Sequence, residues 1–421
     1  MRYSCLSGLL AVALASPLVA AAVEPVPAAP APLPAPARPL EPVPADLERQ
    51  RLEAQIAREL GATSSSAAAP AGATATGSGG AAPWARLLVL PDISAVGSFA
   101  AVVDSYDVGS LSPREGPQGP AGKPTFLFQE LELGLQGVID PYFRADVFIS
   151  FAPGGASVEE AYLTSLSLPG GLQLKAGQFY APFGRVNLLH PHTWDFLDAP
   201  LARGRLLATE TLGGPGVDLL WLTPLPWFAE LQLAAQTTDP YAGGEGRLTG
   251  TTKLQQWFSL AEPLTLGIGL SAARRDEGAG AFRDLANLDL VLKLRPLAGR
   301  AFLAFQGEIY TRKFRGDPPA LIPPEAAFQG DGRDGTGGYA QLVWRQNTWL
   351  GYGLRYDRAP AAGDGTPGTE QRWSAVGNWY PSEFSRLALQ VAHDRRPGGA
   401  SGWESILHLE FVMGAHGAHP F

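Results

Sequence analysis

The stretch Leu288-Asp289-Leu290-Val291-Leu292-Lys293-Leu294 places leucine at every second position, with Asp289, Val291 and Lys293 between. A β-strand sends successive side chains to opposite faces, so this period gives one apolar face and one largely charged face. The rhythm recurs on both sides of the stretch. Leu131, Leu133 and Leu135 alternate with Glu130, Glu132 and Gln136. Phe143, Ala145, Val147, Ile149 and Phe151 alternate with Arg144, Asp146 and Ser150, and Leu303, Phe305 and Ile309 with Gln306, Glu308, Tyr310 and Arg312. Leu407, Leu409, Phe411 and Met413 alternate with His408, Glu410 and Val412. Sixteen such blocks lie near 93–104, 125–139, 141–152, 158–168, 172–184, 214–223, 227–238, 251–260, 263–275, 283–296, 300–315, 336–347, 350–358, 370–380, 385–395 and 402–413.

The connectors between the blocks alternate in length. Short ones fall at Asp140, Pro169–Gly171, Pro224–Pro226, Ala261–Glu262, Leu297–Gly299, Thr348–Trp349 and Pro381–Phe384; the others, such as 105–124, 153–157, 185–213, 276–282 and 316–335, are mostly longer and richer in Gly and Asp. An even number of amphipathic strands with short turns at one end and long loops at the other is the pattern of an outer-membrane β-barrel. Parity puts carboxylates and guanidiniums on one face of strand after strand, which fits a water-filled lumen, and leaves the apolar face for lipid. The aromatics Phe151, Phe179, Tyr180, Trp227, Phe228, Trp349, Trp379 and Tyr380, near block ends, suit interfacial girdles. A secreted sandwich or propeller is the alternative for the same period. The expected fold is therefore all-β, a 16-stranded antiparallel transmembrane β-barrel with short periplasmic turns over 93–421.

Composition agrees. Of 421 residues, 45% are hydrophobic and 17% charged, below the ~25% charged of soluble domains. The net charge of −8 argues against nucleic-acid binding, which needs a basic face. The chain opens on Arg2, an apolar run from Leu9 to Ala22 and a small-residue end, so 1–22 reads as a signal peptide for export. The one cysteine, Cys5, leaves with it. Residues 23–45 form a Pro/Ala-rich linker, and 46–61 a short helix with Leu47, Leu52, Ile56 and Leu60 near one face, either a short coiled coil or a solvated helix. Residues 62–92 are a flexible Ala/Gly/Ser/Thr linker.

Three segments carry a family likeness: Pro141-Tyr142-Phe143-Arg144-Ala145-Asp146, Val158-Glu159-Glu160-Ala161-Tyr162-Leu163, and Leu174-Lys175-Ala176-Gly177-Gln178-Phe179-Tyr180-Ala181-Pro182-Phe183-Gly184. They resemble the phosphate-selective porin (O and P type) superfamily. The stretch Leu189-His190-Pro191-His192-Thr193-Trp194-Asp195-Phe196 and the tail with His416 and His419 resemble a branch labelled zinc-regulated outer-membrane receptors. The resemblance implies a sixteen-stranded channel, often a homotrimer, in the bacterial outer membrane, passing small hydrophilic solutes or ions. A TonB-dependent receptor needs a folded plug and a 22-stranded barrel, and 23–92 offers only linkers and one short helix. Phosphate selectivity needs a cationic lumen, but parity mixes the charges there.

The expected pore-lining residues are Glu130, Glu132, Arg144, Asp146, Glu160, Lys175, Asp289, Lys293, Glu308, Arg312, Arg345, Arg355 and Asp357, with Asp218, Glu230 and Glu410 on the same face. Loop 185–213 is the longest connection. By the resemblance it folds inward as the constriction, through Arg185, His190, His192, Trp194, Asp195, Asp198, Arg203 and Arg205; the alternative is an extracellular loop with no pore contact. His190 and His192 with Asp195, and His416 with His419, have donors suited to zinc or copper. The alternative role for these histidines is to hydrogen-bond the loop or the tail in place. No organic cofactor is expected. His393, His408 and Ser374 lie on lumen strands, but no Gly-x-Ser-x-Gly turn and no phosphate-binding Gly loop occur, so an enzyme is not expected. The rival to a channel is a non-conducting barrel with a structural or surface-binding role.

Overall fold

The computed structural model describes residues 91–105, 114–207, 211–238, 247–278, 280–296, 300–316, 334–361 and 368–414. The signal peptide, both linkers up to residue 90, the helix at 46–61, and the tail with His416, His419 and Phe421 lie outside the described residues. All described residues belong to the second of two compact units, Gly80–Phe421.

The alternating blocks form sixteen strands: β1 (Asp92–Asp104), β2 (Thr125–Val138), β3 (Phe143–Ala152), β4 (Gly155–Ser165), β5 (Leu172–Tyr180), β6 (Gly213–Leu222), β7 (Phe228–Thr238), β8 (Arg247–Ala261), β9 (Leu264–Gly278), β10 (Ala281–Leu294), β11 (Phe302–Arg315), β12 (Gly335–Arg345), β13 (Leu350–Pro360), β14 (Thr369–Ser382), β15 (Ser385–Arg395) and β16 (Ser401–Gly414). Each pairs antiparallel with its neighbours in sequence, and β1 pairs with β16 from Ser94↔Gly414 to Asp104↔Glu404, closing the barrel. Closure leaves no strand edge, so every strand has a hydrogen-bonding neighbour on both sides, the condition for a sheet in lipid. No described helix is long and apolar enough to cross a membrane.

The apolar face is the outer one. Leu288 and Leu292 are 42% and 36% exposed, while Asp289 and Val291 between them are 1% and 3%. Aromatics ring both ends of the outer surface. Tyr142, Phe143, Trp221, Trp227, Trp349 and Trp379 sit at the short-turn end, and Phe126, Phe151, Trp373 and Trp403 at the long-loop end, all exposed. Phe179 and Tyr180 depart from the expected girdle: both are buried, because β5 stops at Tyr180 and its end turns towards the interior.

Three further departures have local causes. β5 ends at Tyr180 rather than 184, since Pro182 has no N–H for the ladder and Gly184 adopts φ 62°. The connection 153–154 is a tight turn rather than the longer loop expected, because β4 starts at Gly155, and β9 and β10 extend to Gly278 and from Ala281, further than the expected 275 and 283. Finally, the inner face is not uniformly polar. Val102, Ala100, Ala388 and Ile406 on β1, β15 and β16 pack with Leu197 into a buried apolar cluster.

Candidate functional site: a loop tied across the lumen

The connection from β5 to β6, here L3 (181–212), carries two short 3₁₀ turns at Val186–Leu188 and Pro191–Thr193 and a helix α1 (Leu201–Leu206). It begins by turning inward at Gly184. Its φ of 62° lies in the left-handed region that favours glycine, and a Cβ there would crowd Glu308 Oε2 at 2.5 Å. The Gly184 N–H donates to Ser271 Oγ on β9 (3.0 Å), and Lys253 on β8 donates to the Gly184 carbonyl. The next two backbone N–H groups, of Arg185 and Val186, donate to the two carboxylate oxygens of Glu308 on β11, both at 2.9 Å.

From there L3 reaches the far wall. Arg386 on β15 donates to the carbonyls of Trp194 (2.9 Å) and Asp195 (2.8 Å). The Leu197 N–H donates to Gln390 Oε1 on β15 (2.8 Å), the Leu201 N–H to Asp357 Oδ1 on β13 (3.2 Å), and Arg312 on β11 to the Arg205 carbonyl (2.8 Å). Arg205 itself pairs with Glu370 on β14 at 3.1 Å. A segment that touches β4, β9, β13 and β15 of one closed barrel does so only from inside. Its apolar side chains, including Phe183, Val186, Trp194, Leu201 and Leu206, form a buried core within the barrel.

Three charged groupings hold L3. The first centres on Asp198, whose side chain is fully buried. Its Oδ1 takes Arg355 (2.7 Å) and Gln390 (2.8 Å), and its Oδ2 takes Arg114 (2.7 Å) and Arg372 (3.0 Å). Glu404 pairs with Arg114 and Arg372, and Asp394 with Arg372. Burial alone would raise the Asp198 pKa, but Arg355, Arg372 and Arg114 hold it well below the usual carboxylate range.

The second grouping centres on His190. Its ring lies between Phe148 and Tyr180, at 4.8 and 4.9 Å between centroids. Nδ1 is 2.8 Å from Glu132 Oε2 and 3.0 Å from Glu159 Oε2, and Nε2 is 3.0 Å from Glu160 Oε2. Tyr180 donates its hydroxyl to Glu159 (2.6 Å). Burial disfavours the imidazolium, yet these three carboxylates raise the His190 pKa well above its ordinary value. Adjacent residues on a strand normally face opposite sides; Glu159 and Glu160 both reach His190 because the β3–β4 register shifts between Phe148 and Ile149, leaving Glu159 as the extra residue of a bulge. His192, also buried, has Nδ1 3.5 Å from Glu132 Oε2.

In the third grouping, Arg386 holds the Asp195 carbonyl, and the positive charges of Arg386, Arg185, Lys293 and Arg345 act on the Asp195 carboxyl; burial raises its pKa and these cations oppose the rise. Asp195 thus belongs to a different cluster from His190 and His192, not to a shared donor set.

The strand residues expected on the inner face divide by level. Glu132, Asp146, Glu160, Asp289, Glu308, Arg312, Arg355 and Asp357 are buried, while Glu130, Lys175, Lys293 and Arg345 are half-buried. Arg144 is exposed near the short-turn end and pairs with Asp146 at 2.8 Å. Of the L3 residues, Trp194 donates its indole N–H to the Leu189 carbonyl (3.3 Å), and Arg203 pairs with Glu115 and donates to Thr211 Oγ1 (2.6 Å). Arg114, Glu159, Arg372, Glu404 and Arg386 belong to the site without having been singled out as site residues by sequence. Only Glu159 had a local signal, its place beside Glu160.

No family model matches the chain. An uncharacterized protein of Aquifex aeolicus (strain VF5) is 30% identical over 391 residues, covering 80% of this chain and 81% of that protein. Among solved structures, the barrel is similar to the outer membrane channel DcaP of Acinetobacter baumannii, at 11% identity, covering 77% of this chain and 97% of that one, with a TM-score of 0.53. It is also similar to the anion-selective porin from Comamonas acidovorans (9%, 77% and 99%, 0.51) and to Pseudomonas putida OprB (9%, 77% and 94%, 0.51). At such identities the likeness is one of fold: a closed porin-type barrel. The chain belongs to the same family as the Aquifex protein.

Proposed function

We propose that this member of the Aquifex protein's family is an outer-membrane channel for passive diffusion of small hydrophilic solutes or ions, with L3 as its constriction. One observation carries the reading: a closed barrel with an exposed apolar outer face and a charged lumen is crossed by the folded loop L3, against which Arg114 and Glu115 of the β1–β2 connection pack. Of the inward polar groups near the short-turn end, Lys175, Glu230, Gln232, Lys293, Gln306 and Arg345 are half-buried, while Asp146, Asn378 and Arg386 are buried. Those near the long-loop end, including Thr238, Glu277, Arg283, Glu370 and Asp394, are buried.

At the level of L3, the cations Arg185, Lys293, Arg345 and Arg386 act on Asp195, while Glu132, Glu159 and Glu160 gather at His190 with Glu130 beside them. Groups of opposite sign across a narrow passage orient a polar solute and give selectivity through placement rather than net charge. The resemblance of 141–184 to the phosphate-selective porin superfamily, the related zinc-regulated branch, homotrimer assembly and export by a signal peptide at 1–22 belong to the same proposal.

The dense ion pairing around Asp198 favours a second reading, a barrel that does not conduct and serves a structural or surface-binding role. Proteoliposome swelling separates the two. Vesicles carrying the folded barrel are expected to swell in iso-osmotic small sugars or amino acids; folded barrel that leaves vesicles as tight as protein-free controls supports the second reading.

A further inference from the structure

The geometry points to a divalent transition-metal site, of the zinc class, formed by Nδ1 of His190 with Oε2 of Glu132 and Oε2 of Glu159. These three donor atoms lie within 4.8 Å of one another. Nδ1 is 2.8 Å from one carboxylate oxygen and 3.0 Å from the other. Zinc at about 2.0–2.1 Å from each donor in a tetrahedral set places neighbouring donors about 3.3 Å apart. The two sides of the triangle that meet at Nδ1, at 2.8 and 3.0 Å, lie within a few tenths of an ångström of that spacing, and the third, between the two carboxylate oxygens, is no longer than 4.8 Å.

Charge balance argues the same way. A single Nδ1–H points to one acceptor, yet two carboxylate oxygens crowd that nitrogen at 2.8 and 3.0 Å, so Glu132 Oε2, in a residue 3% exposed, is in ion-pair contact with the ring but without a well-formed hydrogen bond. Glu160 adds a further carboxylate to the same pocket. One shared imidazolium leaves the cluster with excess buried anion, which is costly at low dielectric. A dication in place of the Nδ1 proton supplies the missing charge.

The surroundings are those of a metal-bound histidine. A ligating imidazole donates its other N–H to a carboxylate, which fixes ring and tautomer; Nε2 lies 3.0 Å from Glu160 Oε2. Tyr180 orients the Glu159 ligand through its hydroxyl, and the rings of Phe148 and Tyr180 hold the imidazole between them. The mixture of one nitrogen and two oxygens suits zinc and its neighbours rather than calcium or magnesium, which take oxygen throughout. Because the donors come from L3, β2 and β4, the bound cation pins the loop to the wall.

The test uses the full chain folded in detergent and Zn²⁺ alone as probe. Metal is measured after gel filtration, with Co²⁺ absorption as a second readout and heat-modifiable gel mobility as the check on folding. Wild type is expected to retain one equivalent of zinc. His190→Ala and Glu132→Gln each lose it, Glu160→Gln weakens it about 10- to 100-fold as an outer-shell partner, and the His416→Ala/His419→Ala variant keeps it. No retention by folded wild type, or equal retention by folded H190A and E132Q, overturns the site. Binding in detergent is read without transport, so this result stands apart from the channel reading.

Discussion

Asp198 in L3 and Arg372 on β14 meet at 3.0 Å with both side chains fully buried. Their backbones approach from opposite directions: one belongs to the loop crossing the lumen, the other to the wall. Asp198 is also the carboxylate that Arg114 and Arg355 share. The loop is thus held at its centre by a charged group that has no solvent to fall back on.

Replacing Asp198 by Asn removes the anion and leaves three guanidiniums short of a counter-charge. Breaking one partner of a buried pair costs roughly 3–5 kcal/mol. The variant is expected to lower the temperature of heat-modified gel mobility and to expose L3 to protease. A double-mutant cycle with Arg372→Met tests the pair itself: additive losses would show that the two residues do not share the interaction.

The pH dependence follows from the same residue. The folded-state pKa of Asp198 is depressed, so its contribution is present above the unfolded value of about 3.9 and is lost as pH falls through the lower folded value. Protease protection of L3 is expected to stay flat from neutral pH down to about 4 and to weaken only below it. Loosening already near pH 6 in wild type, retained in D198N, would place the anchor elsewhere.

Selectivity is expected to respond to the cations around Asp195. Lys293 and Arg345 are half-buried and extend from β10 and β12. Charge reversal of both to Glu moves the reversal potential in a salt gradient towards cation preference. An unchanged potential with unchanged conductance would mean that ions pass outside their reach.

The lipid face has its own test. Leu354, in the middle of β13, is 63% exposed. In a bilayer, Leu354→Arg costs about 2–4 kcal/mol near the midplane, measured by folding into liposomes against denaturant. In a water-exposed barrel the same change would be close to neutral.

Strand number, antiparallel order and the charged inner face were legible because period-two alternation is a local property, repeated in each strand. Its limits were local too. The early end of β5 follows from Pro182 and Gly184, both visible in the sequence but outweighed there by the apolar pattern. The bulge at Glu159 leaves no trace in composition, so the pairing of Glu159 and Glu160 towards one histidine was not foreseen. Asp198 was noticed only as loop content, because its partners Arg114, Arg355 and Arg372 lie far away in the chain and meet it only once the barrel closes. His190 was singled out for its imidazole, but Asp195 was the wrong companion; the carboxylates beside it come from β2 and β4.

The central claim is that L3 restricts a conducting lumen, and single-channel recording in a planar bilayer tests it most directly. Wild type is predicted to give small, stable steps, and folded D198N larger and noisier ones as the loop loosens. Silence from both folded proteins, or identical steps from the two, would contradict the claim.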